Sequence, residues 1–139
     1  MQKVGCYIHI PFCQKKCYYC DFCAYMNVEH RIDDYINNLI KEIKIYQEKL
    51  SCEIDSIYIG GGTPSYIDGK YIKELRKALD GFKIDNIKEF TIECNPNSIS
   101  KDELLLYKDL GINRISLGVQ SFDDKVLKAI GRNHTADIA

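Results

Sequence analysis

Two hydrophobic rhythms alternate along the chain. Val4–Ile10 alternates as a strand does, and Arg31–Leu50 repeats its apolar positions every three or four residues. In that second stretch Ile32, Tyr35, Ile36, Leu39, Ile40, Ile43 and Tyr46 would share one face of a long amphipathic helix. Ile54–Ile59 predicts a second strand, closed by Gly60, Gly61 and Gly62. A helix carrying Tyr71, Ile72, Leu75, Ala78 and Leu79 follows and ends near Gly81. Glu89–Glu93 predicts a third strand, rich in residues that suit a pleated surface. Ser100 then opens a helix, with Glu103 completing a capping box. Leu104, Leu105 and Leu110 predict its apolar side, and Gly111 its end. Arg114–Val119 reads as a fourth strand, and Asp123–Ile130 as a fourth helix stopped by Gly131.

Four strand–helix units in succession predict an α/β fold. Its sheet would be parallel with right-handed crossovers, either open or part of a (β/α) barrel. No linker, charge block or low-complexity segment divides residues 1–139, so one domain is expected. Four units leave edge strands that most proteins cover, which suggests a fragment.

Charge and composition narrow the function classes. The 139 residues carry 19 Lys and Arg against 20 Asp and Glu, a formal charge of −1. No net basic field exists to draw in nucleic acid or an anionic membrane. The longest uncharged stretch, Ser56–Ile67, contains three glycines. It falls short of the roughly 20 apolar residues that a membrane helix needs. The first residues form no signal-peptide core, so a cytoplasmic location is expected.

Cysteine is the unusual component. There are seven, and Cys13, Cys17, Cys20 and Cys23 fall within eleven residues. In a reducing compartment such a cluster points to metal or redox chemistry before disulfides. Spacings of four and three let one loop wrap three thiolates around a single inorganic centre. In a [4Fe–4S] cluster, three ligands leave one iron open to a small molecule. A structural zinc, or a four-cysteine cluster closed by Cys23, is the competing reading. Cys6, Cys52 and Cys94 read as small buried hydrophobes.

Parallel α/β folds place their active sites at the carboxyl ends of the strands. The cysteine loop follows the first strand, and Gly60-Gly61-Gly62-Thr63-Pro64 follows the second. The third strand ends on Glu93 and the fourth on Gln120. Polar or glycine residues thus stand at all four ends.

The motifs carry a resemblance. Tyr7-Ile8-His9-Ile10-Pro11-Phe12-Cys13 with the CxxxCxxC spacing resembles the radical S-adenosylmethionine (SAM) superfamily. Within it the chain is similar to the oxygen-independent coproporphyrinogen III oxidase group. Gly60–Ser65, Glu93-Cys94-Asn95-Pro96, Arg114–Phe122 and Gly131-Arg132-Asn133-His134 match that group in order. The resemblance implies four units of a partial (β/α)6 barrel, with the later strands and a C-terminal domain absent from these residues. It implies that Cys13, Cys17 and Cys20 hold a [4Fe–4S] cluster whose fourth iron is chelated by SAM. Reductive cleavage of SAM to methionine and a 5′-deoxyadenosyl radical would be the cluster's chemistry. Tyr7 would pack beside the cofactor, although a bare strand tyrosine is equally a core residue. Gly61, Gly62 and Thr63 would present backbone to the SAM amino group, where glycine permits close approach. Glu93 would be a further SAM contact, and Gln120 and Arg132 match positions that contact a second SAM. For Glu93 a solvated rim charge, and for Arg132 a helix-terminal cation, are the plain alternatives. No chemistry is assigned to His9 or His134, and no catalytic residue is named.

Two departures from the oxidases bear on function. The oxidases carry CxxxCxxCxC, whereas Phe22 occupies the last of those positions and Cys23 comes one later. They also carry an N-terminal extension, whereas six residues precede Tyr7 here. Both features resemble the sister branch of haem chaperones, which keep the cluster and SAM site but deliver haem. That resemblance implies a tetrapyrrole ligand, haem or coproporphyrinogen III, with a haem site outside this chain. It also implies an electron-donor protein and haem-accepting partners. The alternatives are a true oxidase that decarboxylates coproporphyrinogen III, and a structural metal-binding module. The isolated 139 residues are expected to be inactive.

Overall fold

The computed structural model describes all 139 residues. Four strands, β1 (Gln2–Ile10), β2 (Cys52–Gly61), β3 (Glu89–Cys94) and β4 (Arg114–Leu117), form one parallel sheet in the order β1-β2-β3-β4. Helices α1 (Ile32–Lys49), α2 (Gly69–Ala78), α3 (Lys101–Asp109) and α4 (Asp124–Ala129) follow the strands in turn. The expected strand–helix alternation and parallel pairing are both observed.

The sheet has two unlike faces because successive side chains point to opposite sides. One face carries Ile8, Ile10, Ile57, Ile59, Phe90 and Ile92, each buried beneath the helices. Ile36 and Ile43 of α1, Ile72 and Leu75 of α2, and Tyr107 of α3 complete this core. Burying each such aliphatic chain contributes about 1.5–3 kcal/mol. The opposite face is polar and aromatic. It presents Tyr7 and His9, Tyr58, Thr91 and Glu93, then Arg114 and Ser116 across the register Tyr7↔Tyr58, Tyr58↔Thr91 and Thr91↔Arg114. On this side Arg114 Nη1 donates to Glu89 Oε1 at 2.9 Å, and Thr91 Oγ1 donates to the same oxygen at 3.0 Å.

Three expectations are corrected. The fourth strand ends at Leu117 rather than Val119, because Gly118 donates to the Cys94 carbonyl at 2.9 Å and the chain then turns. In α3, Leu104 and Leu105 face solvent, and Tyr107 is the buried residue. The covered face is formed by the 103, 106, 107 and 110 positions, three or four apart, and Leu104 and Leu105 fall outside it. In α1, Tyr46 is half-exposed rather than core.

The cap itself is testable. Ser100 Oγ accepts from Glu103 N at 3.2 Å, while Glu103 Oε2 accepts from Ser100 N at 2.8 Å. Ser100→Ala is expected to lower stability by about 1 kcal/mol, seen as a lower urea midpoint with an unchanged slope. No helix is long and apolar enough to cross a membrane.

Candidate functional site

The residues between β1 and α1 form a closed loop over the carboxyl end of the sheet. Its stem is short: Tyr25 N donates to Pro11 O at 2.8 Å, and Cys13 N donates to Tyr25 O at 3.0 Å. Inside the loop Cys20 N donates to Cys17 O at 3.0 Å. His9 Nε2 donates to Cys23 O at 3.0 Å, so its Nδ1 accepts from Tyr7 Oη at 2.8 Å. The tautomer follows from the carbonyl, which can only accept. His9 therefore ties the loop's exit to the first strand, a positioning role that the sequence did not disclose.

One cavity of about 210 Å³ lies between this loop and the strand ends. It is lined by Cys13, Cys17 and Cys20, by Gly61, Gly62 and Thr63, and by Glu93, Gln120 and Arg132. Nine of the ten candidate residues thus converge, eight from the four strand ends and Arg132 from the segment after α4. Tyr7 is the exception. It stands on the polar face of the sheet, 60% exposed, with its ring centroid 6.1 Å from that of Tyr58. It is therefore not a core residue.

Several polar groups at the cavity are paired across neighbouring elements. Glu93 is a half-buried carboxylate that would be costly without partners. Tyr58 Oη donates to its Oε1 at 2.6 Å, and Gly61 N donates to its Oε2 at 3.1 Å. That bond to Glu93, with burial second, pushes the Tyr58 hydroxyl above its ordinary range. Asn95 joins three elements: its Nδ2 donates to Thr63 Oγ1 at 3.1 Å and its Oδ1 accepts from Arg132 Nη2 at 2.9 Å. Thr63 Oγ1 also lies 3.2 Å from Cys13 Sγ. Tyr58 and Asn95 were missed as site residues; the Asn-Pro step after the third strand was the available signal. Gln120 adopts a left-handed backbone, φ 68°, at the cavity rim. Such strain in a side-chain-bearing residue is concentrated at functional sites.

The four clustered thiols differ in environment. Cys13 is buried, Cys17 and Cys20 are half-buried, and Cys23 is exposed. Burial pushes the Cys13 thiol up, the Thr63 hydroxyl opposes this, and Cys20 and Cys17 raise it further. Cys23 does not line the cavity; its Sγ lies 3.5 Å from Tyr25 Oη. Cys94, on the core side, is pushed up to about 12 by burial and behaves as an apolar residue. Cys6 and Cys52 are half-buried rather than buried. In protein free of bound metal, iodoacetamide at pH 8 is expected to alkylate Cys23 first and Cys94 last, because only an exposed thiolate reacts. Peptide mass mapping over time checks the order.

The donor set can be compared with the inorganic groups it might serve. Three thiols from one loop, with the glycine backbone beside them, suit a cluster with one open iron. A tetrahedral zinc needs its thiolates about 2.3 Å from one point. The three thiols line one cavity without meeting at a point that close, so it is the donor set, three thiols with one side open, that favours the cluster. The guanidinium Nε of Arg132 is buried without a partner, a polar atom left over on the wall of the cavity.

Known proteins place the chain in a family. The family model described as the radical SAM superfamily matches residues 7–139. The chain belongs to the radical SAM superfamily. It is 44% identical over 131 residues to the heme chaperone HemW of Lactococcus lactis, covering 93% of this chain and 34% of that protein. It is 35% identical over 137 residues to the oxygen-independent coproporphyrinogen III oxidase of Pseudomonas aeruginosa, covering 94% of this chain and 30% of that protein. Among solved structures, coproporphyrinogen III oxidase (HemN) from Escherichia coli superposes with a TM-score of 0.90 at 31% identity. That match covers 99% of this chain and 32% of the other. The chain thus spans about a third of the length of the relatives it matches. The four-stranded sheet corresponds to part of the radical SAM barrel.

Proposed function

We propose that this chain is the cluster- and SAM-binding part of a haem chaperone in porphyrin metabolism, acting in the cytoplasm. The observation that carries the reading is the convergence of the three CxxxCxxC thiols with Gly61–Thr63, Glu93 and Gln120 on one cavity. Cys13, Cys17 and Cys20 would hold a [4Fe–4S] cluster. When bound, that group supplies an open iron for SAM and an electron for its reductive cleavage.

The protein's own contribution is orientation and dryness. The backbone at Gly61 and Gly62 lines the cavity beside Cys13, and side chains added there would collide with His9, Ile10 and Phe12. Glu93, held by Tyr58 and Gly61, offers a fixed carboxylate toward the ammonium of SAM. Gln120 would contact SAM from the rim of the cavity, and Tyr7 and Tyr58 pair their rings on the polar face of the sheet.

Phe22 supports the chaperone over the oxidase. It lines the cavity at the position where the oxidase motif has a further cysteine. A tetrapyrrole, an electron-donor protein and haem-accepting proteins are the partners this reading requires. The test is haem titration and transfer by the full-length protein, beside an anaerobic decarboxylation assay with coproporphyrinogen III. Haem transfer without decarboxylation is the expected result. Decarboxylation would replace the chaperone reading by the oxidase.

A further inference from the structure

The segment after α4 is bound to the cysteine loop at successive points. Tyr18 N donates to Ile130 O at 3.2 Å, and the Tyr18 ring lies over Gly131, where a Cβ would come within 3.2 Å of it. Asn133 Nδ2 donates to Gln14 Oε1 at 3.2 Å. Between these, Arg132 Nη1 donates to Cys17 Sγ at 3.5 Å. Its Nη2 donates to Asn95 Oδ1 at 2.9 Å and to Gly118 O at 2.5 Å. The guanidinium is therefore fixed by the ends of β3 and β4 and aimed at one particular thiol. A helix-terminal cation stabilising α4 would need none of these bonds.

We infer that Arg132 is a positioning residue for the cluster: it donates to the Cys17 thiolate, holds the cysteine loop against β3 and β4, and sets the cluster's reduction potential. The inference rests on the reading of Cys13, Cys17 and Cys20 as cluster ligands. Its physical basis is that a reduced cluster carries one more negative charge than an oxidised one. A fixed cation donating to a ligand sulfur therefore favours the reduced form, and net charge and hydrogen bonds to the sulfurs are the protein's main means of setting the potential. The role differs from a SAM contact because it operates with no SAM present.

The experiment is an EPR-monitored redox titration of the reconstituted full-length protein without SAM, comparing wild type, Arg132→Gln and Arg132→Lys. The expected result for Arg132→Gln is a potential more negative by about 59 mV, a tenfold shift of a one-electron equilibrium toward the oxidised form. Arg132→Lys, which keeps the charge but loses the fork, is expected to fall between. Unchanged potentials combined with weakened SAM binding would overturn the inference and leave Arg132 as a SAM contact alone. Should neither variant retain a cluster, wild-type protein labelled with 15N-arginine decides. A 15N coupling on the reduced cluster's signal is expected, and its absence overturns the inference. Absence of any iron–sulfur cluster in the wild type would instead overturn the ligand reading beneath it.

Discussion

Cys17→Ala is expected to abolish cluster assembly, while Cys23→Ala leaves it intact. Anaerobic reconstitution of wild type should give about four irons and four sulfides per chain, as a cubane requires. Cys17→Ala should fall below about one, because two remaining thiolates cannot retain a cubane against solvent and chelators. Cys17 is the better target than Cys13. It is only half-buried, so its removal leaves no core cavity, whereas Cys13 is packed and bonded to Thr63. Cys23 is in a different position. It is exposed, lies outside the cavity wall, and is tied through its carbonyl to His9 and through its sulfur to Tyr25, which does not line the cavity. EPR of the reduced protein with and without SAM completes the measurement: Cys23→Ala should retain a signal that changes on SAM addition. Loss of iron in Cys23→Ala, or a SAM-insensitive signal that becomes sensitive in that variant, would make Cys23 the fourth ligand. Zinc in place of iron would move the protein to the structural-module class.

The course of the chain was readable because its two periodicities are clean. Period-two runs at Val4–Ile10 and Glu89–Glu93 and the three-and-four spacing of α1 report burial directly, and burial is what selects each element. Where apolar residues stand on more than one face of a helix, the reading slipped. The leucines of α3 are more apolar than Tyr107, yet Leu106, Tyr107 and Leu110 share the covered face while Leu104 and Leu105 stand outside it. The site was legible in its ligands and backbone but not in its supports. Cysteine spacing and a glycine run announce themselves in one dimension. Tyr58, Asn95 and His9 act across 32 to 35 residues or through a carbonyl, and nothing local marks a tyrosine on an alternating strand as the partner of Glu93. The same holds for Arg132, whose approach to Cys17 spans 115 residues.

Gly62→Ala should separate stability from cofactor binding. Its effect should be large because the obstruction is backbone. A Cβ at Gly62 would lie 2.6 Å from Phe12 O, 3.0 Å from its carbonyl carbon and 3.1 Å from its nitrogen. No side-chain rotation relieves such contacts, so β2's end must separate from the residues that lead into Cys13. Two bonds lie in that seam: Gly62 N to Ile10 O and Thr63 N to Phe12 O, both 2.8 Å. Overpacking of this kind costs about 1–3 kcal/mol. It also moves Thr63 Oγ1 relative to Cys13 Sγ, on the side of the cavity where SAM is proposed to lie. Gly111→Ala supplies the control. Gly111 has φ +86°, but an added methyl there would meet no atom within 4 Å. Its cost is therefore confined to backbone strain of about 1–2 kcal/mol, far from the cavity. Both variants should therefore show lower urea midpoints. Only Gly62→Ala should also lose the SAM-dependent change in the EPR signal, while keeping its iron. Equal SAM binding in the two variants would mean that the glycine run serves as a tight turn and not as a cofactor cradle.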